Sequence, residues 1–194
     1  MRYFSKGNMG PNLNLIVAVC ENMGIGFKGE LPWKLKSEMA YFSKMTKGTK
    51  DPSKKNAVIM GRKTWESIPK KFKPLPDRIN VVLSTNKIEV AEGVLLCSSL
   101  EGAVAQLRQP PFNSVIETVW VIGGSSLYKA SMDLPECHRL YLTHIKAMFE
   151  CDTFFPTISP SFKVVSDPNV PQEVQEENGI KYEYKVYEKE TSQN

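Results

Sequence analysis

Glu38 is an acid set in an apolar row. Leu35, Glu38, Met39, Phe42 and Met45 fall at steps of three, four, seven and ten from Leu35. On a helix these steps share one face. Lys34, Lys36, Ser37, Ala40 and Lys44 lie off that face. An ionised carboxylate turned toward an apolar interior is costly unless something pairs with it. Glu38 is therefore at the edge in water, neutralised, paired inside the protein, or waiting for a ligand.

Other groups with chemical potential sit where apolar runs stop. Gly61-Arg62-Lys63-Thr64 puts a glycine and two cations at the start of a short helical stretch. A helix start favours anions, so this is either a phosphate site or a turn with two solvated cations. Gly123-Gly124-Ser125-Ser126 lets backbone approach a ligand closely, and the amides opening the next helix suit a pyrophosphate. It is not a complete G-x-G-x-x-G fingerprint and is weak evidence alone. Arg78 follows Pro74-Leu75-Pro76-Asp77. It either holds a carboxylate in bidentate fashion or pairs with Asp77 or another acid at a strand end. Trp33 and Phe42 read first as core residues. Tyr128, four residues after Gly124, either covers a nucleotide or packs.

The elements that would position these groups alternate between strand and helix. Apolar runs read as buried strands at 13–20, 56–60, 78–84, 94–97 and 119–122, with partial alternation at 139–145. Helices are expected at 35–44, 62–68, 100–107 (capped by Ser98 or Ser99) and 125–132. The glycine-rich stretch 21–33 reads as a lid-like loop. Near the end, Glu176-Glu177-Asn178-Gly179 is a turn signal, followed by alternation at Ile180, Tyr182, Tyr184 and Val186. That strand is expected to pair in a late hairpin with 163–166. The sum is a three-layer α/β domain: a mostly parallel central sheet, helices on both faces, and an antiparallel C-terminal edge hairpin. In such sheets ligands gather at the carboxyl ends of the strands. Two anion sites and one acid suggest a dinucleotide beside a small cationic or hydrogen-bond-donating substrate.

The 194 residues suit one domain, expected over 13–190 after a flexible extension at 1–12. With 41% hydrophobic residues and a net charge of +4, the composition is that of an ordinary globular protein. The lysines are dispersed, which argues against an obligate nucleic-acid partner. No apolar run is long enough to span a bilayer and no signal-peptide pattern opens the chain, so a cytoplasmic location is expected. The four cysteines show no C-x-x-C spacing, and His138 and His144 have no partner at metal-ligand spacing, so no metal is expected.

Taken together, these stretches resemble dihydrofolate reductase. The resemblance runs from about Leu13 to Lys189. It rests on Ile16-Val17-Ala18-Val19, Met23-Gly24-Ile25-Gly26, Leu31-Pro32-Trp33, Glu38 with Phe42, and the run Val58 to Pro69. It continues in Pro74 to Asn80, Val121 to Tyr128 and Asp152-Thr153-Phe154-Phe155-Pro156. The order of these motifs makes it specific.

The resemblance implies NADPH-dependent reduction of 7,8-dihydrofolate to tetrahydrofolate, serving one-carbon and thymidylate metabolism, by a monomer that binds antifolate inhibitors. Glu38, with Thr143 beside it, would bind the 2-amino and N3 edge of the pterin. Leu31 and Trp33 would gate the water that protonates N5 while C6 receives hydride. Ile16, Val17, Met39, Phe42, Ile68, Pro69, Leu75, Ile122 and Tyr128 would wall the substrate, and Arg78 would hold its glutamate carboxylate. The cofactor would lie along Ala18, Ile25, Gly61, Arg62, Lys63, Thr64, Ser84, Thr85, Ser99, Gly123, Gly124, Ser125, Ser126, Leu127 and Tyr128. Cis bonds are implied at Lys73-Pro74 and Gly123-Gly124. Thr85 and Ser98 depart from the pattern, since many relatives carry arginine there to read the 2′-phosphate. Met39 replaces a common aromatic and Phe72 a common amide.

A related reductase acting on a riboflavin precursor or another pterin would have less use for Arg78. A silent nucleotide-binding protein would have no reason to keep Glu38. Desolvation should raise the pKa of Glu38 above its ordinary value.

Overall fold

The computed structural model describes residues 11–190. Most of the extension expected at 1–12 lies outside these residues, and Asn12 already opens the first strand. The central sheet contains six parallel strands in the order β5 (Leu95–Cys97), β4 (Arg78–Leu83), β3 (Lys55–Gly61), β6 (Ile116–Val121), β1 (Asn12–Val19) and β7 (Cys137–Ile145). β11 (Ile180–Lys189) then adds antiparallel to β7.

Both faces of this sheet are covered, which is why its strands read as continuous apolar runs. Alternate residues go to opposite sides. Leu13, Leu15, Val17 and Val19 join Ala57, Ile59, Val119 and Val121 in one cluster. That cluster also holds Leu100, Ala103 and Leu107 of helix α3 (Leu100–Leu107) and Leu127 and Met132 of α5 (Ser125–Asp133). Ile16, Val58, Met60, Val82 and Trp120 form the other cluster, with Tyr41 of α1 (Lys36–Lys47) and Trp65 of α2 (Arg62–Ser67). Ser99 caps α3, its Oγ accepting the Gly102 N–H at 3.0 Å. A four-residue helix, α4 (Phe112–Val115), was not legible in the sequence. No helix among the described residues is long and apolar enough to cross a membrane.

Three expectations need correction. The C-terminal turn closes a hairpin with β10 (Gln175–Glu177), where Glu177 pairs with Ile180. The segment expected as its partner, β9 (Phe162–Val165), does pair with β11, but at the far end, Val186 to Lys189. β11 is long enough to serve β7, β9 and β10, and alternation specifies a face but not a partner. The lid-like loop contains β2 (Gly24–Gly26), which pairs with β8 (Thr153–Phe154) in a separate two-stranded sheet. Glycines carry no strand signal, so this pairing was hidden.

The third correction concerns α1. It begins at Lys36, and Leu35 is its N-cap. Met39 is 47% exposed, whereas Tyr41 and Thr46, off the expected stripe, are buried. Tyr41 packs on Tyr184 of β11, ring centroids 3.9 Å apart. The Met39 and Phe42 side borders an open cleft instead. Cis bonds occur at Lys73-Pro74 and Gly123-Gly124, as the resemblance implied, and also at Pro110-Pro111.

Candidate active site

A cleft of about 1900 Å³ runs along the carboxyl ends of the parallel strands. Typical small-molecule pockets hold roughly 300–1,000 Å³, so this one has room for two ligands side by side. Glu38 enters it from the first turn of α1 and is 5% exposed. Thr143 on β7 donates its hydroxyl to Glu38 Oε1 at 3.1 Å. Oε2 has no hydrogen bond among the described residues. Of the four possibilities open for an acid in this row, water at the edge is therefore excluded.

Burial pushes the Glu38 carboxyl up to about 7, and the Thr143 hydrogen bond pulls it back only in part. In the unfolded chain the same group titrates near 4.5. Below that pH both states hold the proton and ionisation costs nothing. Between 4.5 and about 7 the unfolded chain releases its proton first, and stability falls. Above about 7 the loss is complete, on the order of 3 kcal/mol. Glu38→Gln, which cannot ionise, is expected to raise the unfolding temperature of the ligand-free protein at pH 8 by roughly 6–12 °C. At pH 4 it should give no gain. Calorimetry at the two pH values checks this, and equal midpoints at pH 8 would remove the buried charge from the account.

The cleft gathers nearly all the residues singled out from the sequence. Ile16, Val17 and Ile122 form its floor at the ends of β1 and β6. Leu31, Met39, Phe42, Ile68, Pro69 and Leu75 line it, as does Arg78. Ala18, Ile25, Gly61, Arg62, Lys63 and Thr64 line it too, with Ser84, Thr85 and Ser99. So do Gly123, Gly124, Ser125, Ser126, Leu127 and Tyr128.

Trp33 does not line it. Its ring is buried with Cys20, Leu35, Ile145 and Tyr182, and packs edge-on against Phe149 at 5.5 Å. Its Nε1 has no partner among the described residues. Thr143 also lies behind the wall and reaches the cleft through Glu38. Tyr128 is 4% exposed and donates to the Ile16 carbonyl at 2.8 Å, so packing is its first task.

The strand-end glycines adjoin. Gly61 N–H donates to the Gly123 carbonyl at 2.8 Å. Gly123 has φ +122°, and a Cβ there would stand 3.3 Å from Thr64 Oγ1. A side chain would thus be strained and would fill the space that bare backbone offers to a ligand. Arg62 is less available than its sequence position suggests, because its guanidinium pairs with Glu66 at 2.8 Å. The Ser84 hydroxyl donates to the Asn86 carbonyl at 2.8 Å, closing a turn.

Arg78 resolves the other way. Asp77 pairs with Lys47 at 3.0 Å, and Arg78 has no carboxylate within 4.0 Å among the described residues. Its Nε donates to the Pro76 carbonyl at 3.0 Å and its Nη1 to Thr46 Oγ1 at 2.8 Å. These bonds hold the guanidinium in place and leave N–H groups over. Lys47, Asn86 and Glu101 also border the cleft, and none was singled out beforehand. They are surface polar residues, with no pattern to distinguish them from solvated neighbours.

A buried acid, an arginine with no carboxylate partner among the described residues, and adjoining glycine ends border one cleft. Residues 12–189 match the family model described as Dihydrofolate reductase. The chain belongs to the dihydrofolate reductase family. It is 54% identical to the dihydrofolate reductase of Drosophila melanogaster over 179 residues, covering 91% of this chain and 97% of that one. Against the Gallus gallus dihydrofolate reductase it is 50% identical over 182 residues, covering 92% and 96%. The solved structure of Schistosoma mansoni dihydrofolate reductase superposes with a TM-score of 0.83 at 42% identity, covering 93% of this chain and all of that one. The chain is accordingly an oxidoreductase of the dihydrofolate reductase type, and its mixed sheet is the dihydrofolate reductase fold.

Proposed function

We propose that the chain reduces 7,8-dihydrofolate to 5,6,7,8-tetrahydrofolate with NADPH. The observation that carries this reading is Glu38: a buried carboxylate bordering the cleft, with Thr143 as its hydrogen-bonding partner among the described residues. A pterin presents two adjacent N–H donors, the 2-amino group and N3, which suit a carboxylate edge. Glu38 binds that edge and Thr143 holds the carboxylate's orientation. Phe42, Ile68, Pro69 and Leu75 exclude water from the ring faces, and Arg78 receives the tail carboxylate. Leu31, 45% exposed at the cleft, covers the reacting centre. Trp33, with its unpartnered Nε1, supports the water that delivers a proton to N5.

The residues present fit a dinucleotide. Gly61, Gly123 and Gly124 offer backbone without side chains, and Lys63, Thr64, Ser125 and Ser126 supply charge and hydroxyls at the same end of the cleft. NADPH supplies a hydride to pterin C6 when bound. For its 2′-phosphate, Thr85, Ser98 and Ser99 contribute hydroxyls and Lys63 contributes the positive charge. One charged hydrogen bond is worth about 1.5–3 kcal/mol. NADPH is therefore expected to be preferred over NADH in kcat/KM by roughly 10- to 100-fold. Lys63→Ala should bring the ratio near one. Dihydrofolate-dependent oxidation of the two cofactors, followed by absorbance, tests this, and equal rates with both in the native enzyme would refute the NADPH assignment. The reading extends to a cytoplasmic monomer inhibited by diaminopyrimidine antifolates, which present the same pair of donors to Glu38.

A further inference from the structure

Helix α1 presents Glu38 from its third position, so the seating of its first turn sets where the carboxylate lies. The first backbone N–H groups of a helix have no acceptor within it. Leu35, at the N-cap, has no side chain that could serve. The acceptor comes from a strand 140 residues further along the chain. Glu177 Oε1 accepts the Lys36 N–H at 2.7 Å, and its Oε2 accepts the Ser37 N–H at 2.8 Å.

These bonds close a ring of contacts around the acid. Glu177 on β10 pairs with Ile180 of β11, and Tyr184 of β11 pairs with Thr143 of β7. Thr143 donates to Glu38, and α1 returns to Glu177. Tyr41, one turn after Glu38, seals the ring against Tyr184. The carboxylate of Glu38 is thus held from β7 on one side and, through its helix, from β10 on the other.

We propose that Glu177 is a positioning residue for Glu38: it seats the first turn of α1 and sets its anionic charge against the positive end of the helix that bears the acid. This rests on Glu38 being the substrate-pairing acid. The groups facing Glu38 are Thr143 from β7, Tyr41 from its own helix, Tyr128 from α5, and Tyr182 and Tyr184 from β11. Burial raises all four phenols, so they stay neutral across the working range. Glu177 is held below the usual carboxylate range by the Ser37 and Lys36 amides, with the Lys36 charge nearby, and stays ionised. Removing it takes an anion away from the positive end of the helix that bears Glu38, which favours ionised Glu38.

The test uses Glu177→Gln and Glu177→Ala in the full chain. In a ¹³C NMR titration of the ligand-free protein, the Glu38 carboxyl midpoint is expected to fall by about half a pH unit in both. In Glu177→Ala, kcat/KM for dihydrofolate at pH 7.5 should fall roughly three- to tenfold. Glu177→Gln, whose carbonyl still accepts an amide hydrogen, should recover part of that loss. A lower unfolding temperature with an unchanged Glu38 midpoint and unchanged kcat/KM would make Glu177 a helix cap only and overturn the proposal. Glu38→Ala is assayed in parallel. Full activity there overturns the reading of Glu38 and this role with it, whereas inactivity beside unaltered Glu177 variants overturns this role alone.

Discussion

Glu38→Ala is expected to lower kcat/KM for dihydrofolate by about a hundredfold to ten-thousandfold, with most of the loss in kcat. The side chain is 5% exposed, and a hydrogen bond from Thr143 meets only one of its oxygens. Each carboxylate oxygen accepts more than one hydrogen bond, so this arrangement leaves an edge for two donors. In the proposed complex that edge orients the ring whose C6 and N5 react. Alanine removes the pairing and leaves a void that water fills, so the ring loses both charge and register. Glu38→Gln keeps the shape but exchanges one acceptor oxygen for a donor, and is expected to lose nearly as much. Because N5 must gain a proton during turnover, wild-type activity should fall on the alkaline side as protons become scarce. Steady-state rates of all three proteins from pH 5 to 9 provide the check. Activity of Glu38→Ala within threefold of wild type would end the assignment.

Arg78→Leu should act differently, raising KM for dihydrofolate about 30- to 150-fold while kcat changes little. The guanidinium is half-buried, and its two assigned hydrogen bonds go to the neutral Pro76 carbonyl and the Thr46 hydroxyl. Asp77, the acid next to it in sequence, is taken by Lys47. Burial lowers the Arg78 pKa, the direction expected for a cation without a compensating carboxylate. In the proposed complex the tail carboxylate supplies that compensation, in a bidentate geometry lysine cannot copy. Arg78→Lys should therefore fall between the two. A dihydropterin without the glutamate tail separates binding from folding damage, since its KM should be indifferent to Arg78→Leu. Equal losses for tailed and tailless substrates would assign Arg78 to the architecture of β4 alone.

These two residues also show how far the sequence carries. The acid at Glu38 was conspicuous because helical periodicity is local. The spacing of Leu35, Glu38, Phe42 and Met45 needs no tertiary information. The apolar runs of β1, β3, β4 and β6 were legible for the same reason, being buried on both faces. The glycine ends at Gly61 and Gly123-Gly124 were visible as interruptions of those runs. From the strand-helix alternation followed the doubly covered sheet, and with it the edge along which ligands would collect.

What periodicity cannot state is what lies opposite a face. Met39 and Tyr41 are neighbours on one helix, yet one borders the cleft and the other packs on Tyr184. The choice between an ion pair and a free guanidinium at Arg78 depended on Lys47, thirty positions before its partner Asp77. The C-terminal hairpin shows the same limit. Asn178-Gly179 announced a turn, but whether β9 or β10 closed it was settled by the length of β11 and the edge left free by β7.

The sequence by itself therefore determined the principal strands and helices, the layered architecture and the types of group available for chemistry, because those follow from patterns a few residues long. Only the tertiary structure decided which of those groups are spoken for. Pairing across space consumed Asp77, left Arg78 without a described carboxylate partner, and brought Glu177 to the start of the helix that carries Glu38. Those outcomes depend on contacts between segments far apart in the chain, and no local spacing encodes them.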